Sequence, residues 1–214
     1  MKKALITIFV VLILDQILKI WVKTHMEIGD SIPVLGKWFY IHFVENRGMA
    51  YGWEFGGKYG KLMLSIFRLA AIGGIGYYLF SIIRKKYHKL LIISISLIFA
   101  GAVGNMIDSA FYGLFFSQSG PFTLAQCCPS GGGYAGFLQG KVVDMFYFPI
   151  AQGYWPQWVP FLGGSEFMFF RPVFNLADAS ITVGVAMLII FQKNFYVSRK
   201  SYLVDNEEET EEDI

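Results

Sequence analysis

Long apolar runs, each broken by only a few polar residues, dominate the pattern of this chain. They fall at about residues 4–22, 62–83, 90–112 and 174–193. Each run is close to the ~20 residues that a helix needs to cross the hydrocarbon layer of a bilayer. Because a chain of 214 residues is too short to bury four such helices in a soluble core, the pattern predicts four transmembrane helices.

The first run follows Lys2 and Lys3, as the apolar part of a secretory signal peptide would. Such a peptide ends at a cleavage site of small residues, but this run continues into DQILKIWVK. We therefore expect it to be retained as the first helix.

The two long connections carry a different pattern. Residues 36–52 are aromatic and β-branched with partial alternation, which predicts a strand and a turn. Residues 145–173 are rich in Trp, Phe, Tyr, Pro and Gly, a composition suited to the membrane interface. Residues 119–140 contain CCPSGGGY and indicate a flexible excursion. The predicted fold class is an all-α membrane protein with four transmembrane helices and a small β-rich and aromatic extracytoplasmic region at the membrane surface.

Composition agrees with this pattern. The chain is 55% hydrophobic and 16% charged, whereas soluble proteins average roughly 25% charged residues. Seven of the sixteen acids lie between Asp205 and Ile214. We expect a single membrane domain over residues 1–200 and a solvated, disordered acidic tail over residues 201–214.

The distribution of basic residues predicts the orientation of the helices. The connection RKKYHK at 84–89 holds four Lys or Arg residues, and further bases flank the first and last runs: Lys2, Lys3, Lys193, Arg199 and Lys200. Cytoplasmic loops of membrane proteins carry an excess of Lys and Arg. Both termini are therefore predicted to be cytoplasmic. The loops 24–61 and 113–173 are predicted to lie on the periplasmic face of a bacterial inner membrane.

Polar side chains gather at the outward ends of the predicted helices, where an ionised carboxylate is costly. Asn105 and Asp108 are three residues apart, as are Asn175 and Asp178, so each pair shares a helix face. Asp144 lies among apolar residues in the connection between these helices. The pattern predicts a polar site at the outer surface of the membrane.

These candidates also have ordinary structural interpretations. Asn175 and Asp178 fit a helix N-cap followed by an acid in the first turn. Asp108 fits a residue that ends a helix, and Asp144 fits a turn acid that reaches water. At the level of the sequence, a polar functional site and these ordinary structural roles both stay open.

Two further charged positions lie inside predicted helices. Asp15 and Lys19 stand in the favoured i,i+4 order for an ion pair that fixes the first helix against the bundle. Arg68, near the outward end of the second helix, is expected to extend to the interface or to pair with an outward acid. Small residues spaced four apart predict close approach of helices: Ala70 with Gly74, Ala100 with Gly104, and Gly101 four before Asn105.

Five short blocks occur in one order along the chain: DQILK (15–19), ENRGMAYG (45–52), GAVGNMID (101–108), VVDMF (142–146) and FNLADASI (174–181). Together, in a frame of four apolar runs, they resemble the lipoprotein signal peptidase family, signal peptidase II. Members of this family are intramembrane aspartyl peptidases of bacteria. The resemblance covers nearly the whole chain, and the long outward loops are similar to those of the Bacteroidetes group.

The resemblance implies roles for individual residues. Asp144 and Asp178 are the implied catalytic pair, and Asp15 and Lys19 are implied structural polar residues. Residues implied to bind substrate or support the pair are Asn46, Gly101, Asn105, Asp108, Asn175 and Arg68. In the family an arginine follows the acid that matches Asp108, whereas this chain has Ser109. We expect Arg68 or Arg47 to supply the missing contact.

The activity implied is removal of the signal peptide from diacylglyceryl-modified prolipoproteins, by cleavage just before the lipidated cysteine. The implied partners are these precursors and membrane lipids, with no cofactor, metal or nucleic acid. The resemblance also implies inhibition by globomycin, and we expect a monomer.

Three other functions are compatible with parts of the sequence. A small proton-coupled transporter would use Asp15, Lys19 and Arg68 as a relay, although no internal repeat supports it. A membrane scaffold would bind lipoproteins without cutting them. A cysteine enzyme would need Cys127 or Cys128 beside His42, and nothing in the sequence orients these groups.

Overall fold

The structure, a computed structural model, describes residues 1–47, 57–149, 151–169 and 172–195. The acidic tail predicted over residues 201–214 lies outside the described residues. The turn predicted to close residues 36–52 falls largely outside them as well.

The first three apolar runs form helices with bounds close to those predicted. These are α1 (Lys2–His25), α2 (Gly57–Arg84) and α3 (Lys89–Ile107), which continues through a π-helical turn (Asp108–Tyr112) into the short α4 (Gly113–Phe115). Within the described part of the chain, three stretches are long and apolar enough to cross a membrane: Lys2–His25, Gly60–Arg84 and Lys89–Phe115.

Large apolar side chains cover the outer surfaces of these helices. Ile6 and Phe9 of α1 are 62% and 59% exposed, and Met63 and Phe67 of α2 are 72% and 71% exposed. A water-soluble protein rarely exposes apolar patches of this size, whereas lipid is as apolar as these side chains. The chain is therefore a multi-pass membrane protein.

Within the described residues, six strands lie in the two long connections between the apolar runs. A four-stranded antiparallel sheet has the order β1 (Ser31–Leu35), β2 (Phe39–Asn46), β3 (Val142–Tyr147) and β6 (Val173–Phe174). A separate hairpin joins β4 (Ala151–Tyr154) to β5 (Glu166–Phe169). β2 confirms the strand predicted from the aromatic and β-branched pattern.

The last apolar run changes conformation along its length. Phe174 belongs to β6, where it pairs with Phe146 of β3, and the helix α5 (Leu176–Ile190) begins two residues later. α5 has 15 residues and is shorter than the predicted run at both ends: Phe174 is part of the sheet, and the helix ends at Ile190.

The chain divides into two compact units, which we describe separately. The first combines residues 1–16 and 62–107 with the chain from Leu176 onward. Its apolar core is formed where α2 meets α3, around Leu79, Ile82, Leu91 and Ile95, and α3 packs along α5.

The second unit combines residues 17–61 and 108–175 and contains the sheet. The segment predicted to be a flexible excursion is held in place here. Tyr134 N–H donates to the Phe116 carbonyl at 3.1 Å, and Ala135 N–H donates to the Gly113 carbonyl at 2.9 Å. A methyl group added at Gly133 would lie 2.0 Å from the Gly113 carbonyl oxygen. Gly133 therefore permits close backbone packing of this segment against the end of the helix.

Candidate active site

Asp144 lies in the middle of β3 and is 4% exposed. Its Oδ1 accepts a hydrogen bond of 2.7 Å from Nδ2 of Asn175, which also donates to the Val143 carbonyl at 3.3 Å. Asn175 itself is fully buried. Because Asp144 is a strand residue removed from water, its interpretation as a solvated turn acid is wrong.

Asp178 lies in the first turn of α5. Its Oδ1 accepts a hydrogen bond of 2.7 Å from Nδ2 of Asn105, near the end of α3. A hydrogen bond from an amide donor fixes the orientation of the carboxylate. Asn105 and Asp178, predicted from the sequence as members of one polar site, are thus brought together by the packing of α3 on α5.

A second acid, Asp15 of α1, contacts the N-terminus of α5. Oδ1 of Asp15 accepts the Ala177 backbone N–H at 2.9 Å, and Asp15 is fully buried. The first amides of a helix lack partners within the helix, and a carboxylate there is favoured by the helix dipole. Asp15 therefore caps the helix that carries Asp178, a supporting role consistent with the structural role implied by the sequence.

Lys19 and Asp108 form an ion pair of 2.9 Å in which both side chains are fully buried. Oδ2 of Asp108 also accepts the backbone N–H of Val143 at 3.2 Å, directly before Asp144 in β3. Asp108 is the first residue of the π-helical turn through which α3 continues into α4, so the interpretation that it ends the helix is wrong. A cation for Asp108 is thus supplied by Lys19 of α1, although Ser109 replaces the arginine of the family pattern.

Asn46 ends β2, two residues after Val44, which lies opposite Asp144 in the sheet. Since alternate strand residues share a face, Asn46 and Asp144 lie on the same face of the sheet. Arg68 lies in α2, and its proposed contact with the site stays a prediction.

Gly101 lies where α3 and α5 approach most closely among the helical glycines described. A methyl group there would lie 2.3 Å from the Ala177 carbonyl oxygen and 2.6 Å from both Ile181 Cγ1 and Ser180 Oγ. Real Cβ atoms do not come so close to backbone, so a side chain would push α5 away from α3. The small-residue spacing thereby holds Asn105 within reach of Asp178.

Replacing Gly101 with alanine should destabilise the protein by about 1–3 kcal/mol through overpacking. It should also lower peptidase activity, because α5 carries Asp178. Thermal unfolding in detergent and a cleavage assay measure the two effects. Gly74→Ala in α2 is the matched control, since a methyl group there meets nothing within 4 Å. Equal unfolding temperatures for both variants would contradict the close α3–α5 contact.

A buried charged cluster in the second unit was not predicted from the sequence. Lys23 and Lys141 both pair with Glu45, and Ser119 contacts Lys23 and Glu45. One signal was present in the sequence: Lys23 continues the four-residue spacing of Asp15 and Lys19, so all three share a stripe of α1. Its partner Glu45 is remote in sequence and carried no such signal.

The cluster changes the acidity of its members that lie outside the helices. Burial alone would raise the pKa of the Glu45 carboxyl, but the neighbouring Lys23 and Lys141 ammonium groups outweigh burial and hold this pKa below its usual value. Burial raises the pKa of the Tyr134 hydroxyl. Glu45 is thus an ionised carboxylate, and Tyr134 is neutral.

Comparison with known proteins identifies related sequences. The model of the family described as "Signal peptidase (SPase) II" matches residues 7–193. A lipoprotein signal peptidase of Porphyromonas gingivalis is 52% identical over 184 residues, covering 86% of this chain and 79% of the relative. One from Amoebophilus asiaticus is 38% identical over 181 residues, covering 83% of this chain and 72% of the relative.

Two solved structures have a fold similar to that of this chain. A bacterial membrane enzyme determined by the in meso method at 2.3 Å resolution superposes with a TM-score of 0.57. It is 27% identical to this chain, and the alignment covers 91% of this chain and 89% of that one. A second such structure, at 1.9 Å resolution, also has a TM-score of 0.57, at 26% identity.

Proposed function

Since this chain belongs to the signal peptidase II family and is a lipoprotein signal peptidase of the aspartic type, we propose that Asp144 and Asp178 are its two catalytic carboxylates. One observation carries the proposal. Each acid accepts a hydrogen bond of 2.7 Å from an asparagine amide, Asn175 for Asp144 and Asn105 for Asp178. Asn175 also stands only three residues before Asp178 in the chain.

The chemistry expected of such a pair uses one carboxyl group in its ionised form and the other in its protonated form, as aspartic peptidases do in general. The ionised group takes a proton from a water molecule, and the water oxygen attacks the carbonyl carbon of the scissile peptide bond. The protonated group donates its proton to the carbonyl oxygen. Collapse of the tetrahedral intermediate returns a proton to the leaving amine and breaks the C–N bond.

The asparagines would act by orientation. Each amide holds one oxygen of its carboxylate and so fixes the orientation of that group. Such fixed dipoles need no rearrangement when charge develops in the transition state. Asp15 and the Lys19–Asp108 pair would support the arrangement by holding the start of α5 and the backbone beside Asp144.

The substrates are prolipoproteins, and we propose that the bond cut lies just before a cysteine that carries a diacylglyceryl group. Asp144 shares its sheet face with Phe146, which belongs to an aromatic cluster with Phe39, Phe148 and Phe174. These rings would exclude water and contact the apolar signal peptide, while the acyl chains remain in lipid.

For the membrane arrangement we propose one four-helix domain over residues 1–200, with α5 as the fourth span and both termini in the cytoplasm. The sheet and the site would then face the periplasm. We further propose that the enzyme acts as a monomer and that globomycin inhibits it. Neither a transporter nor a lipoprotein scaffold is favoured by family membership.

Cleavage of defined precursors tests the proposed substrate. Purified full-length enzyme is incubated with one prolipoprotein in two forms, diacylated and unmodified, and products are separated by gel shift. We expect only the diacylated form to be cut, with the modified cysteine as the new N-terminus by mass spectrometry. Equal cleavage of both forms would contradict recognition of the lipid.

A further inference from the structure

The charged cluster around Glu45 brings four distant parts of the second unit together. Lys23 comes from the end of α1, Glu45 from β2, Ser119 from the excursion and Lys141 from the residue before β3. Ser119 Oγ donates to Glu45 Oε1 at 2.8 Å and accepts from Lys23 Nζ at 3.0 Å. Lys141 Nζ donates to Glu45 Oε2 at 2.9 Å. Both carboxylate oxygens of Glu45 are therefore engaged.

Two aromatic rings pack on this cluster, Tyr134 from the excursion and Phe116 from just before it. Lys23 Nζ lies 5.1 Å from the ring centre of Tyr134 and 5.6 Å from that of Phe116, and Lys141 Nζ lies 5.6 Å from Tyr134. The Tyr134 hydroxyl also accepts the Lys141 backbone N–H at 2.7 Å. Cations over aromatic faces are attracted by the ring quadrupole. The excursion is thus bound to the backbone that enters β3.

Burial makes this cluster costly to maintain. The Lys23 side chain is fully buried, that of Glu45 is 2% exposed, and that of Lys141 is 20% exposed. A buried ion pair often stabilises a fold no more than apolar residues of the same size would. Its best documented use is to specify one register among several.

The sheet has a register that needs such specification. The pairing of β2 with β3 shifts between Ile41 and Val44, and beyond this irregularity Val44 lies opposite Asp144 and Glu45 opposite Val143. A slip of one residue in a strand pair moves every side chain to the other face. Glu45 is the charged residue adjacent to Val44, on the face of β2 that points away from Asp144.

We propose that Glu45 is a positioning residue: by binding Lys23 and Lys141 it fixes the register of β2 against β3, and so holds Asp144 and Asn46 on the reactive face. The inference rests on the proposed function, because it takes Asp144 to be catalytic. It assigns a role to the long excursion as well. Through Ser119 and Tyr134 the excursion braces this register.

The test separates positioning from stability by removing both buried charges. In Glu45→Gln/Lys23→Met no buried ion is left without a partner, and Lys141 keeps access to water, so we expect the melting temperature to stay near that of the wild type. Misplacement of a reacting group lowers kcat more than KM; we expect kcat to fall about ten- to a hundredfold. KM for the diacylated precursor should stay within about twofold, as expected for loss of an interaction made in the transition state.

Two control variants and one milder variant show whether a loss of kcat comes from the cluster itself. Glu27→Gln and Lys37→Met make the same changes outside the cluster and should keep wild-type kcat. Lys141→Met leaves the Lys23–Glu45 pair in place and should lower kcat by a smaller factor than the double variant. If the double variant fails to fold, Lys141→Met by itself tests the positioning role.

Wild-type kcat in folded Glu45→Gln/Lys23→Met and in Lys141→Met would overturn the positioning role. Parallel loss of kcat and melting temperature in both would overturn it too, because the cluster would then only stabilise the fold. Asp144→Asn is assayed alongside. An inactive Asp144→Asn with active cluster variants refutes this inference alone, whereas an active Asp144→Asn refutes the catalytic pair and this inference with it.

Discussion

Asp144→Asn and Asp178→Asn should each abolish cleavage of a diacylated precursor, lowering the rate by about 10²–10⁴-fold or more, because each variant removes one partner in proton transfer. Asparagine has the shape of aspartate but cannot take or release the proton. The effects should not add in the double variant, because residues that act as a unit lose their function together. The rate is measured by gel shift at saturating precursor.

The same experiment needs evidence that the fold is intact. Asp30→Asn is the matched control, since Asp30 is an exposed acid of the second unit whose side chain accepts the nearby Glu27 backbone N–H at 2.8 Å. It should keep wild-type activity. Melting temperatures of all variants should stay within a few degrees of one another. Turnover retained by Asp144→Asn in folded enzyme would remove the catalytic pair.

Lys19→Met should destabilise the protein by about 3–5 kcal/mol, the typical cost of breaking a buried ion pair by removing one partner. The reason is that Asp108 is fully buried and would lose the ammonium group at 2.9 Å. The Val143 N–H that Asp108 also accepts is an uncharged amide. Thermal or denaturant unfolding in detergent measures the loss, and Lys37→Met, an exposed lysine, should leave stability unchanged.

A second variant identifies the cause of that loss. In Lys19→Met/Asp108→Asn the buried charge is gone, and the asparagine oxygen still accepts the Val143 N–H. We expect this double variant to recover much of the stability lost in Lys19→Met. A Lys19→Met protein as stable as the wild type would show that the pair contributes nothing. A double variant no better than the single one would show that packing of the lysine stem, not charge, is what matters.

Local pattern was enough to predict the three long helices and one strand of the sheet. Apolar runs of helical length predicted α1, α2 and α3, because crossing a bilayer sets both the length and the composition of a helix. The aromatic and β-branched pattern predicted β2 for the same kind of local reason. The prediction for the fourth run was less accurate. Phe174 fits the spacing of a helix equally well, and only its pairing with Phe146 makes it a strand residue.

The candidate site residues could also be recognised in the sequence, but their hydrogen-bond partners could not. Polar residues in apolar surroundings are rare because they are costly, so Asp144, Asp178 and Asn175 could be selected from one chain. The hydrogen bonds that these residues form could not be predicted, because they join positions far apart in the chain. Asn175 and Asp144 are 31 residues apart, Asn105 and Asp178 are 73 apart, and Asp15 caps Ala177 across 162 residues.

What the sequence determined by itself is therefore the class of the protein, its helices and the identity of its polar residues, each of which depends on hydrophobicity and spacing within a single segment. What only the tertiary structure decided is pairing: Lys19 with Asp108, Glu45 with Lys23, and the close packing of the glycine-rich excursion. The physical reason is that a buried charge or donor takes whichever partner the folded chain brings within about 3 Å, and no periodicity within a segment encodes that meeting.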